Sequence, residues 1–247
     1  MKSSRILVGL LFFVLIFSSV AIAILLHSTV LIAVFAVISL ISVLELASVN
    51  KDTEKNLKWV MIQFVIIFVS IVSVARLVAE YGEISPWYIG GLFFVIFSTD
   101  FLALCTGKLL GGKIFDKRRK EFTVECSPTK TLEGFIGGFI GGLVASAVVA
   151  LVLWRFVGLE FQPTLFPIIA VCVVVLTILG DLLASKVKRM LGVKDFGQKL
   201  REKPVIGGIE RFIASHGGFL DRFDSAFFVF ACLLPLLFLL QITSSSY

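Results

Sequence analysis

The sequence is short of most of what a soluble folded domain is built from. Only 16% of its 247 residues are charged and 58% are hydrophobic, whereas a soluble domain is nearer half apolar and about a quarter charged. The apolar stretches lack the polar alternation of a barrel strand, which argues against a transmembrane β-barrel. No two of the cysteines Cys105, Cys126, Cys172 and Cys232 stand at metal-ligand spacing, and three lie in apolar runs. They read as small buried hydrophobes rather than as a metal or redox site. There is no long internal repeat and no low-complexity tract. What the chain has instead is a series of apolar runs of about twenty residues, each long enough to cross a hydrocarbon layer as a helix.

Seven such spans are expected, at about 6–26, 29–48, 59–80, 87–106, 134–157, 164–184 and 224–242. The first follows Lys2 and Arg5 and resembles a secretory leader in outline. It is long and no clear cleavage site follows it, so it reads as a membrane helix. The short gap at His27–Ser28 makes the first two spans a tight helical hairpin. The net charge of +6 raises the possibility of a nucleic-acid partner. However, the positive charge lies in loops beside apolar spans, which is how membrane proteins orient themselves, so no nucleic-acid partner is expected. All the Lys and Arg except Arg76 and Arg155 fall in the N-terminal segment or in the loops after spans 2, 4 and 6. With seven spans these segments share one side. The expectation is therefore an all-α polytopic membrane protein with the N-terminus in the cytoplasm. Residues 1–247 read as a single membrane domain, with N-terminal helices over 1–94, the chemistry over 95–230 and the last transmembrane helix at 224–242.

Two local patterns refine this picture. Gly134, Gly138 and Gly142, and again Gly137 and Gly141, repeat every fourth residue. On a helix they form a flat stripe that another helix can approach closely. A phosphate-cradling loop would need a strand before the glycines and a lysine after them, and that context is missing. Between Pro204 and Ala214, the residues Val205, Ile206, Ile209, Phe212 and Ile213 follow helical spacing, with Glu210 and Arg211 opposite. A short amphipathic helix near 204–214, lying at the cytoplasmic interface, is expected.

A carboxylate at membrane depth is costly and calls for a reason. Asp100, Asp181, Asp221, Asp224 and Glu45 come from separate parts of the chain, yet the topology brings all of them to the cytoplasmic ends of their spans. Beside them stand Lys130, Lys188, Arg189, Lys194 and Arg222. Carboxylates suit a hard cation such as Mg²⁺, which shares its oxygen ligands with substrate phosphates. Lys and Arg suit the remaining phosphate oxygens. Acids and bases together at a membrane surface point to phosphate chemistry on a lipid head group. For Lys117–Lys120 a solvated, orienting role is the better reading. A transporter would spread its acids across the bilayer depth, which these do not do.

The residues Ser185-Lys-Val-Lys188-Arg189, then Lys194-Asp195-Phe-Gly197, then His216-Gly217-Gly218-Phe-Leu-Asp221-Arg222-Phe-Asp224-Ser225 resemble the C-terminal signature of the phosphatidate cytidylyltransferase (CDP-diacylglycerol synthase) family. Ser127-Pro128-Thr-Lys130-Thr131-Leu-Glu133-Gly134 resembles a second shared segment of that family. Asp100 with Ala103 and Thr106-Gly107 resembles a third, and Gly180-Asp181 a fourth. The resemblance covers roughly residues 95–230. It implies an integral membrane enzyme of the cell inner membrane or its equivalent, often a homodimer among membrane lipids. Such an enzyme condenses CTP with phosphatidic acid to CDP-diacylglycerol and pyrophosphate, with its active site on the cytoplasmic face. It also implies Mg²⁺, with a second cation as an option. By similarity Asp181 and Asp221 are the main metal ligands, supported by Asp224 and Asp100. Lys130, Lys188, Arg189, Lys194 and Arg222 bind phosphates, Asp195 lies with the substrate-binding set, and Ser127 and His216 line the site.

The sequence departs from the family pattern in three places. Eighteen residues, Gln198 to Ser215, replace a short spacer, Ala184 stands where an acid is common, and Phe101 and Leu104 replace polar residues near the first aspartate. An enzyme acting on another lipid phosphate or a lipid alcohol, and a non-catalytic membrane homologue, remain the alternatives. The run of acids that marks CDP-alcohol phosphotransferases is absent.

Overall fold

The computed structural model describes residues 2–49, 57–114, 130–158, 165–197 and 218–244. Among them there are seven α-helices and no strand: α1 Lys2–Leu25, α2 Thr29–Val49, α3 Leu57–Tyr81, α4 Ser85–Leu110, α5 Leu132–Val152, α6 Leu165–Met190 and α7 Leu220–Ser244. A 3₁₀ turn, Gly82–Ile84, joins α3 to α4, and a π turn, Leu153–Val157, extends α5. Four stretches are long and apolar enough to cross a membrane: Thr29–Val49, Leu57–Leu110 (which holds both α3 and α4), Leu132–Val157 and Leu165–Met190. Side chains such as Leu40 (60% exposed), Phe68 (58%), Val144 (59%) and Leu151 (62%) project from the bundle. So much bare apolar surface would be costly in water and is at home in lipid. The chain thus has the build of an integral membrane protein.

The helices run further at one end than hydropathy suggests. α4 continues past residue 106 to Leu110, α6 past 184 to Met190, and α7 begins at Leu220 rather than 224. Lys108, Lys186, Lys188 and Arg189 are therefore helical rather than loop residues. The reason is electrostatic and local. A helix bonds its own backbone whatever its side chains, and cations near a helix C-terminus are favoured by its dipole. The amphipathic segment expected near 204–214 lies outside the described residues.

Polar residues within the apolar helices turn back on their own backbones. Ser42 Oγ donates to Ile38 O (2.9 Å), Thr99 Oγ1 to Val95 O (2.8 Å), Ser146 Oγ to Gly142 O (2.9 Å) and Thr177 Oγ1 to Val173 O (2.8 Å). This satisfies each hydroxyl where no water can.

The glycine stripe of α5 packs on α4 as its spacing predicts. A Cβ at Gly138 would stand 2.7 Å from Ala103 Cβ and 3.1 Å from Thr99 O, and one at Gly141 would stand 2.3 Å from Leu102 Cδ1. α6 and α7 meet at Gly180, where a Cβ would lie 3.0 Å from Ser225 Cα. An aromatic plug fills the space between α2, α4 and α7. Phe35 stacks edge-on against Phe227 (5.6 Å) and Phe230 (5.4 Å), and Phe93 against Phe223 (6.3 Å) and Phe230 (5.2 Å). Phe223 and Phe227 are fully buried, so the plug holds α7 firmly just below its first turn.

Candidate active site

The ends of α2, α4 and α6 meet the starts of α5 and α7 at one end of the bundle. At the opposite end His27, between α1 and α2, faces Glu83, between α3 and α4, at 3.7 Å.

Lys188, near the end of α6, is the centre of the site. Its Nζ donates to Asp221 Oδ1 (2.8 Å) and stands 3.7 Å from Asp224 Oδ2. Its stem passes the Phe196 ring, with Nζ 5.6 Å from the ring centroid. The lysine side chain is only 14% exposed, and those of Asp221 and Asp224 only 12% and 8%. At that depth an unpaired charge would be expensive, and the one ammonium offsets one of the two carboxylates it lies between.

The second oxygen of Asp221 gathers backbone. Its Oδ2 accepts from Phe196 N (2.8 Å) and Gly218 N (3.1 Å). Phe196 reaches this position because α6 ends in a Schellman turn. Gly192 adopts φ +69°, its N–H bonds Arg189 O (3.1 Å), and the Val193 N–H bonds Lys188 O (3.0 Å). Only glycine takes that conformation without strain, and the turn folds residues 193–197 back over the start of α7.

A second pair stands beside the first. Lys130, just before α5, is ion-paired with Asp181 of α6. Thr131 caps α5 by accepting from Gly134 N (3.2 Å), and Glu133 accepts from Gly112 N (2.8 Å). These bonds fix Lys130 against α4 and α6. Asp100 of α4 lies within electrostatic reach of Asp181, Asp224 and Lys130, and close to the Ser225 side chain. The Ser225 hydroxyl is buried and makes no hydrogen bond among the described residues.

Asp100, Asp181, Asp224 and Ser225 therefore offer only oxygen, the donor type a hard divalent cation takes. Among the described residues no three His, Cys, Asp or Glu side chains form a ready-made metal-holding group. In this arrangement the ammonium groups of Lys130 and Lys188 offset part of the acids' charge.

A profile of the cytidylyltransferase family matches residues 1–240. The chain belongs to that family. Curated relatives named phosphatidate cytidylyltransferase include one from Staphylococcus saprophyticus, 37% identical over 155 residues, covering 63% of this chain and 49% of the relative. One from Staphylococcus haemolyticus is 36% identical over 155 residues, covering 63% and 49%. One from Staphylococcus aureus is 36% identical over 159 residues, covering 64% and 50%. The chain spans about half the length of the curated relatives it matches.

In this cytidylyltransferase-family chain the residues singled out from sequence fall into three groups. Asp100, Lys130, Asp181, Lys188, Asp221 and Asp224 come together. Arg189 and Lys194 are exposed at the end of α6 and just beyond it, while Asp195 and Arg222 flank the cluster half-buried. Ser127 and His216 lie outside the described residues. Ser225 and Glu45 are at the site without having been given a part in it. Ser225 carries no signal of its own beyond adjoining Asp224. Glu45 carried one, an acid inside an apolar helix, but the sequence does not disclose its partner.

Proposed function

We propose that this chain is a phosphatidate cytidylyltransferase, which transfers the cytidylyl group of CTP to phosphatidic acid and releases pyrophosphate. The observation that carries this reading is the gathering of Asp100, Asp181, Asp221 and Asp224 with Lys130 and Lys188 from separate helices at one end of an apolar bundle. The membership of the family and the names of the relatives point the same way.

In the reaction an oxygen of the lipid phosphate attacks the α-phosphorus of CTP. A new P–O bond forms, the bond from that phosphorus to the β-phosphate bridging oxygen breaks, and pyrophosphate leaves with the electron pair. The attacking oxygen is already ionised, so no general base is required. The difficulty is electrostatic, since two polyanions must meet and charge builds on the leaving group. Lys130 and Lys188 are held by acids rather than left loose, so they are preorganised to exchange a carboxylate partner for a phosphate oxygen. Arg189, Lys194 and Arg222 extend the positive rim, Asp195 helps to bind substrate, and Ser127 and His216 complete the lining.

Mg²⁺ suits the carboxylate donors of the site in kind, since all of them are oxygen. Asp181, Asp221 and Asp224, with Asp100 in support, would hold it, and it would supply charge neutralisation to the phosphates. Asp221 already accepts three hydrogen bonds of the roughly four a carboxylate can take, so its larger contribution is to hold Lys188 and the loop over α7 in place.

In the membrane we place all seven helices as spans, with the N-terminus and the site on the cytoplasmic side. The distribution of Lys and Arg supports that orientation. CTP then arrives from water while the lipid stays in its leaflet. A homodimer is part of the same reading.

The test is incorporation of labelled CTP into lipid by the purified chain with phosphatidic acid and Mg²⁺. The expected result is a Mg²⁺-dependent CDP-lipid that vanishes in Asp221→Ala. Absence of product with phosphatidic acid and with other lipid phosphates, from folded protein that binds neither CTP nor metal, would overturn the reading in favour of a non-catalytic homologue. Product with a different lipid phosphate alone would redefine the acceptor.

A further inference from the structure

We infer that Glu45 is a positioning residue for the Asp221–Asp224 pair, acting through the backbone at the start of α7. This deepens the reaction proposed above and rests on it for its catalytic consequence.

Glu45 lies near the end of α2 and is 2% exposed. Its Oε1 accepts from Phe219 N (2.8 Å) and its Oε2 from Leu220 N (2.8 Å). The first N–H groups of any helix have no partner within the helix and usually find one in a local Ser, Thr, Asp or Asn. Phe219, which opens α7, has no such side chain. The cap comes instead from a helix 174 residues earlier in the chain.

The fit is close. A Cβ at Gly218 would stand 2.5 Å from Glu45 Oε2 and 2.9 Å from Gly197 N, so this position has room only for glycine. Asp221 completes the arrangement from the other side by accepting from Gly218 N and Phe196 N. The start of α7 is thereby held between an acid of α2 and an acid of its own first turn. Asp221 and Asp224 are the second and fifth residues of α7, so a shift of the helix start shifts both against Lys188.

The chemistry requires a carboxylate. Both partners are N–H donors, so both side-chain atoms must accept. The substitution Glu45→Gln leaves one oxygen and turns the other acceptor into an NH₂ group, which would face an N–H. Aspartate keeps two acceptors on a shorter stem and should restore part of the cap. When ionised, the side chain also faces the positive end of the α7 dipole.

The experiment compares purified full-length Glu45→Gln and Glu45→Asp with the parent protein. Amide hydrogen exchange is read across the bundle, and steady-state CTP incorporation is measured with phosphatidic acid and Mg²⁺. For Glu45→Gln we expect exchange at Phe219 and Leu220 to quicken on the order of tenfold or more, since the protecting partners are lost, with α4–α5 unchanged. We expect kcat to fall by a comparable factor while KM for phosphatidic acid moves little, and Glu45→Asp to recover part of both. Unchanged exchange at the start of α7 in Glu45→Gln overturns the proposal. So does equal acceleration across the whole bundle in both variants, which would show only general support of the fold. A parent protein that makes no CDP-lipid would instead refute the proposed reaction, and the exchange measurement would still decide whether Glu45 holds α7.

Discussion

Two helix pairs in this bundle use the same device to different ends. Where α4 meets α5, and again where α6 meets α7, glycine lets two backbones come close. In the α4–α5 pair the seam is glycine against Thr99, Leu102, Ala103 and Thr106, and the hydroxyls turn back onto their own helix. Beyond these it takes only an apolar neighbour, Val174 of α6 against Gly142. In the α6–α7 pair one glycine, Gly180 against Ser225 and Phe228, lets the helices close so that Asp181 and Lys188 stand beside Asp221 and Asp224. That seam is completed only by groups from elsewhere: Lys130, the Phe196 amide and Glu45. An apolar seam can be closed by helix faces alone, whereas a charged one draws in loops and backbone from the rest of the molecule.

The contrast can be sharpened by mutation. The largest effect is expected on the charged seam. Asp181→Ala should lower CTP incorporation by about 10²–10³-fold, as removal of one preorganised electrostatic group commonly does. Its melting midpoint should stay within about 3 °C of the parent, because Lys130 and Asp181 are each about a third exposed (35% and 31%) and the survivor rehydrates. A melting loss as large as the activity loss would erase the distinction between the seams.

Lys188→Met should be costly in both respects. It leaves two buried acids without their cation, and breaking such a pair typically costs about 3–5 kcal/mol. Denaturant unfolding in detergent measures this. A variant as stable as the parent would mean that Asp221 and Asp224 do not need their lysine.

Gly138→Leu should do the reverse of Asp181→Ala. Its new side chain meets Ala103 and the Thr99 carbonyl, neither of which can swing away. Overpacking of this kind costs about 1–3 kcal/mol. The midpoint should fall by several degrees while the kcat of the protein that remains folded is preserved. Loss of kcat without loss of stability would show that the apolar seam also shapes the site.

The smallest effect belongs to the far end of the bundle. His27 and Glu83 are 62% and 64% exposed at 3.7 Å. His27→Ala should leave both incorporation and melting at the parent values, the usual outcome for an exposed pair.

The sequence revealed most where structure is local. The glycine stripe fixed the α4–α5 contact because helical period alone decides which residues share a face. Apolar length located the helix centres but not their charged ends. Lys186, Lys188 and Arg189 look like a loop to hydropathy, yet α6 carries them, since its hydrogen bonds do not depend on apolarity. Asp181 and Asp221 were legible as costly acids, but their pairing with Lys130 and Lys188 was not. Those pairs join residues 51 and 33 positions apart, and only the packing of α5, α6 and α7 sets their register. Glu45 was visible as an acid and silent as to purpose, because its partners are backbone N–H groups that bear no signature in a sequence.

The bond between Glu45 and the start of α7 also bears on the order in which the molecule can be assembled. α2 is synthesised before α7 and its partners come 174 and 175 residues later, a delay on the order of ten seconds or more at ordinary rates of translation. Until then the acid in α2 has no N–H groups to receive. Arrival of α7 supplies those N–H groups together with Asp221 and Asp224, so the acid of α2 gains its partners in the same step that brings these two acids to Lys188.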